Sequence, residues 1–202
     1  MNRLFNIIFG DLKKDKAIYY SLLVSGLIGL IFGALFITIL KESDKTLLIN
    51  HINSFFESIK NGSYKTNFNN ILFSNLLLVI IIAILGFSII GIPVIIAILF
   101  YKTFSLSFTV TSLLYNFKIQ GILISFVYIF PHLILNLIFY FILIYYSFKL
   151  SILLINLLLN RKELNKKFLK KYLIIIVISM LFITISALYE TFVLPYLIKM
   201  IY

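Results

Sequence analysis

Long uncharged runs separated by short charged clusters set the rhythm of this chain. Residues 17–40, "AIYYSLLVSGLIGLIFGALFITIL", are 24 positions without a charge, and roughly 20 apolar residues suffice to cross a bilayer. They predict a transmembrane helix. Gly26, Gly29 and Gly33 recur along it every three or four positions and share a face. Gly29-x-x-x-Gly33 is the spacing that lets a second helix approach closely, although glycine is also simply common in membrane helices. Residues 41–70 break the pattern. Asp44 or Ser43 can start a helix there and Asn61-Gly62 can end it. Between them Leu48, Ile52, Phe55, Phe56 and Ile59 line one face, opposite Asn50, Asn53, Glu57 and Lys60. This amphipathic loop helix must set its apolar stripe against headgroups, the chain's own spans or a partner.

Residues 71–101 are again uncharged, over 31 positions, and are interrupted by Gly86, Ser88, Gly91 and Pro93. A proline inside a helix frees a carbonyl and kinks the chain, so "GFSIIGIP" predicts a kinked span whose break is buried in protein. Lys102 reads as a polar stop. Residues 103–117, rich in Ser and Thr, read as a short span, and 119–130 as a half-helix ended by Pro131. Residues 132–158 form a full span in which Lys149 can snorkel; the half-helix and this span together occupy 119–159. Residues 160–171 carry six basic residues and one acid. A last span runs over 172–194, and Pro195 is expected to break it, leaving "YLIKMIY" along the surface.

The basic clusters orient these spans. Residues 160–171 belong in the cytoplasm by the positive-inside rule, as does the N-terminal region with Arg3, Lys13, Lys14 and Lys16. Two cytoplasmic segments need an even number of crossings between them. The reading is therefore an all-α, polytopic helical membrane bundle of about five crossings, with half-helix or re-entrant elements. The 41–70 loop and the C-terminus then lie outside. Within 1–16, Leu4, Phe5, Ile8, Phe9 and Leu12 fall at helical spacing opposite Arg3, Asp11 and the lysines. They read as an interfacial helix on the cytoplasmic face, and the late position of those lysines argues against a cleaved signal. Glu190 is about 27 Å up a helix starting at Tyr172. That puts it close to the outer boundary, either solvated or organising the outer face.

Composition agrees with membrane residence. The 202 residues are 62% hydrophobic and 12% charged, against about 25% charged for soluble domains, and mean hydropathy is +1.09. The net charge of +11 follows from lysines at helix ends, so nucleic acid is not the expected partner; membrane lipids are. With no Cys and no Trp, thiol chemistry is excluded and interfacial anchoring falls to the 13 Tyr. No Gly-rich phosphate loop or G-x-S-x-G elbow occurs. His51 and His132 would both be needed for a zinc site. No catalytic residue, cofactor or metal site is expected.

Several segments, taken in order, resemble the stage II sporulation protein M family of endospore-forming bacteria. They are "GLIFGALF", the Phe55-Phe56 pair of the loop, "LGFSIIGIPVIIAILFYK" followed by "FTVTSLL", "SFVYIFPHLIL" and "SALYETFVLPYLIKMI". His132 stands where that family leads us to expect Gln. The resemblance implies a non-enzymatic scaffold of the mother-cell and septal membrane. Such a scaffold recruits the stage II sporulation proteins P and D, which degrade peptidoglycan, and so supports forespore engulfment. Phe55, Phe56 and Glu190 are the partner-binding candidates, and self-association is a further option. Gly29, Gly33, Gly86, Gly91, Pro93, Pro131, His132 and Pro195 are the packing and kink positions. The rival class is a transporter or a permease subunit, since broken helices form transporter sites. Lys149 and Glu190 plot near span ends, which leaves no charge at the midplane to support that rival.

Overall fold

A computed structural model describes residues 15–64, 67–129, 131–160 and 166–201. The expected interfacial helix of residues 1–16 falls almost wholly outside them. Within the described residues the regular structure is helical: α1 Lys16–Ile39, α2 Glu42–Lys60, α3 Phe68–Leu85, α4 Gly91–Phe117, α5 Ile119–Ile129, α6 Leu133–Asn160 and α7 Lys166–Leu188. A π-helical turn, Tyr189–Val193, joins α7 to α8, Leu194–Ile201. Five stretches are long and apolar enough to cross a membrane: 16–39, 68–85, 91–129, 133–159 and 166–201. Their outward faces carry large apolar side chains, such as Leu27, Ile31, Phe32 and Leu35 on α1 and Val177, Leu181 and Ile185 on α7. Lipid, and not water, is the solvent such a surface needs.

α1 and α4 run parallel in tight contact. The glycine stripe Gly26, Gly29, Gly33 is buried, with the backbone of α4 against Gly29 and Gly33 and the Thr103 side chain against Gly26. A Cβ on Gly29 would sit 2.7 Å from the Phe100 carbonyl oxygen, and one on Gly33 would run into that of Phe104. Edge-on ring contacts flank the seam: Phe32 with Phe100 and Phe36 with Phe104 and Phe108. Thr103 Oγ1 donates back to the Leu99 and Phe100 carbonyls, 3.0 Å each, so the seam stays free of unpaired polar groups.

α6 is the central helix. Tyr140, Leu143, Ile144, Tyr145, Tyr146, Ser147, Leu150 and Ser151 are buried on it. α3 lies parallel to α6, since Asn75 meets Tyr140 at one end and Gly86 meets Ser147 and Ser151 at the other. α7 runs antiparallel to α6. Tyr172 meets Ser147 at 2.8 Å, Phe139 stacks on Phe182 at 4.0 Å, and Ser186 donates to the His132 carbonyl at 3.1 Å.

The crossings divide differently from the pattern in the sequence. Residues 71–101 are not one kinked span, and 103–117 are not a separate short one. The chain turns at 86–90 between α3 and α4, and α4 passes through Lys102 without interruption. Pro93 accordingly lies in the first turn of α4, where backbone N–H groups have no intrahelical acceptor and proline removes nothing. The carbonyls freed by the turn are satisfied: Ser151 Oγ donates to Gly86 at 3.1 Å and Tyr172 Oη to Ala83 at 2.9 Å. Two crossings remain two crossings, so the parity imposed by the basic segments is kept.

Lys149 does not snorkel past the fold. Its ammonium pairs with Asp15, which also accepts from Tyr145 Oη at 3.1 Å. At the opposite end a second core gathers Phe56, Ile59, Leu113, Ile124, Ile129, Leu194 and Ile198. α2 and α8 thereby pack over the C-terminal part of α4 and over α5. Pro195 does not end the helix: the π turn before it widens the ladder, with the Leu194 N–H reaching back to the Tyr189 carbonyl, and the chain continues as α8.

Candidate functional site

A partly polar cleft of about 180 Å³ opens in the half of the bundle nearer α2 and α8. α3 contributes Asn75; α4 contributes Lys102, Ser105 and Thr109; α5 contributes Tyr128; α6 contributes Asn136 and Tyr140. Leu106, Leu133 and Leu137 complete the wall. The low packing density follows from the local sequence. Small hydroxyl residues on α4 face amides on α3 and α6, where neighbouring turns use Leu and Ile.

Lys102 is the floor of this cleft. It lies about 16 Å up α4 from the turn at Gly91, near mid-membrane. Its Nζ stands 5.2 Å from the centre of the Tyr140 ring, a cation–π contact. Tyr140 is held by donating to the Asn75 carbonyl and side-chain oxygens at 3.2 and 3.3 Å. Glu190, half-buried in the π turn, acts electrostatically on Lys102, Tyr64, Tyr128 and Tyr140. It sits about 10 Å further out than Lys102 along the bundle axis. Within the described residues neither Lys102 nor Glu190 makes a hydrogen bond or an ion pair. The side-chain oxygen of Asn136, a residue only 5% exposed, has no partner there either.

His132 is 1% exposed, with its ring edge-on to Tyr128 and stacked on Tyr189. Pro131 precedes it in the break between α5 and α6. No group of three or more metal-ligating side chains gathers among the described residues.

Phe55 and Phe56 go to different environments. Phe56 is 2% exposed and packs edge-on to Phe117, so the bundle itself takes up the deepest part of the stripe. Phe55 is half-buried against Tyr64 and Tyr128. Both border a mostly apolar groove of about 320 Å³ between α2 and α4, together with Leu48, His51, Phe108 and Leu113. Asn116 Nδ2 donates to Asn53 Oδ1 at 2.7 Å and ties α2 to α4 alongside it.

Sequence reading missed the Lys102 cleft because Lys102 follows 31 uncharged residues and imitates a helix end. The available signal was Asn75 and Asn136. Each is an amide inside an apolar run, a residue that hydrocarbon tolerates only facing a partner or a cavity.

The fold and this cleft define a polytopic α-helical membrane protein with a partly polar cleft inside its bundle, toward the end where α2 and α8 lie. The chain matches the stage II sporulation protein M family over residues 21–195, and it belongs to that family. It is thus a sporulation-related, multi-pass membrane protein. No curated protein and no solved structure matches it.

Proposed function

We propose that the protein is a non-enzymatic membrane scaffold that holds the peptidoglycan-degrading stage II sporulation proteins P and D at the septal, mother-cell membrane during engulfment. Family membership carries this reading. The architecture adds a seat for it: α2, fixed through Phe56, borders a groove on the side opposite the basic segments. A hydrolase on the wall side can lay an apolar segment there, with Phe55 as the contact and Glu190 acting through its charge at Tyr128.

The test is a detergent pull-down of the two hydrolases. Phe55→Asp should leave insertion and expression intact and reduce hydrolase recovery at least about fivefold, a typical cost for a groove anchor. Glu190→Gln should reduce it if the charge takes part. Undiminished recovery from both variants removes the docking site.

A charge near mid-membrane supports the second reading, a transporter or permease subunit. A proteoliposome flux assay separates the two, because a scaffold gives no substrate-dependent transport.

A further inference from the structure

Lys102 presents an unbalanced account of charge. An ammonium near the middle of the hydrocarbon layer is costly unless it is neutralised or hydrated. The Tyr140 ring, 5.2 Å away, covers one side of it and offers about 2 kcal/mol at most. Glu190 attracts it from the outer end without reaching it. No acceptor contacts its three N–H groups among the described residues. The space above it is not filled by side chains, and Ser105, Thr109 and Tyr128 edge it with hydroxyls beside the leucines of its wall. The Tyr128 hydroxyl has no hydrogen bond there. The Asn136 amide oxygen, also on the cleft wall, is buried and unpaired; turned about its last bond, the amide would offer N–H groups to the same space.

We propose that this cleft is an anion site: a carboxylate or phosphate group enters from the outer side, pairs with Lys102, and takes hydrogen bonds from Tyr128 and Asn136. One ammonium plus neutral donors suits a singly charged oxyanion. The cleft volume of about 180 Å³ has room for such a group. Glu190 lies outside the lining but acts through its charge on Lys102 and Tyr128, so it repels the ligand mildly. The site does not depend on hydrolase docking, since its lining comes from α3 to α6 and not from α2.

Full-length protein in phosphatidylcholine nanodiscs is unfolded thermally in sodium acetate, sodium phosphate or sodium chloride at equal ionic strength, and separately with phosphatidylglycerol in the disc. Saturable binding should raise Tm by about 5 °C or more at a hundredfold excess over Kd. A rise with acetate or phosphate identifies a free oxyanion; a rise only with phosphatidylglycerol identifies a lipid headgroup. Lys102→Met should abolish the rise, Asn136→Leu should weaken binding at least about fivefold, and Glu190→Gln should tighten it. Lys199→Met, at an exposed site in α8, should change nothing. The site is overturned if no anion gives a saturable rise, or if Lys102→Met shows the same rise as the parent. Should Lys102→Met fail to fold, Asn136→Leu decides: unaltered binding overturns the site, and weakened binding supports it.

Discussion

Single residues at the α1–α4 seam show how closely this bundle is fitted. Gly33 is flanked by the Phe104 carbonyl group itself, whose carbon would lie 3.0 Å from an added Cβ, so no side-chain movement can make room. Gly33→Leu should separate the two helices at a cost of roughly 3 kcal/mol or more, the upper end for overpacking. It should show as loss of the monodisperse peak in detergent, whereas Leu27→Ala on the lipid face should not. The stripe reads in sequence as a surface for close approach, but spacing names no partner; only the fold supplies α4. Lys102 was misread for a related reason. A lone lysine after a long apolar run looks the same whether a helix ends there or carries it inward, and the difference lies in residues 86–90, twelve or more positions earlier.

At the scale of elements, the turn between α3 and α4 separates two residues that look equivalent in sequence. Gly91 closes the turn, and a Cβ there would strike the Leu85 carbonyl. Pro93 lies where no N–H is needed. Gly91→Leu should therefore abolish accumulation in the membrane, while Pro93→Ala should leave membrane levels within about a factor of two of the parent. Equal damage from both would mean that proline shapes the turn. α2 was legible as an amphipathic helix because its stripe keeps a 3.6-residue period through Phe56 and Ile59. What covers that stripe was not legible, because lipid, a partner and the chain's own spans all ask for the same side chains.

For the whole molecule, the number of crossings was legible although their boundaries were not. Basic residues fix the side on which two segments lie, and that constraint survives any redistribution of helix ends between them. The chain has no native Cys, so single cysteines report its topology directly. Ser63→Cys should react with a membrane-impermeant maleimide in intact cells. Asn165→Cys should react only after permeabilisation. The reverse labelling would invert the bundle, so that the α2 groove faces the cytoplasm and the Lys102 cleft opens toward it. Two cores stacked along the axis, one around α6 and one under α2 and α8, also suggest two melting steps. The outer cap, held by fewer large side chains, should loosen first.

The π turn at Tyr189–Val193 sets the bearing of everything that follows it. It holds a supernumerary residue against the ordinary winding of the chain, and that surplus lets Leu194 and Ile198 meet the cap. Excising Phe192, which is 58% exposed, should relax the coil to regular pitch and swing α8 by about 100°. Insertion should survive this change while the cap's hold on α8 is lost. A one-codon deletion would thus re-aim α8 while leaving α7, the body of the last crossing, in place.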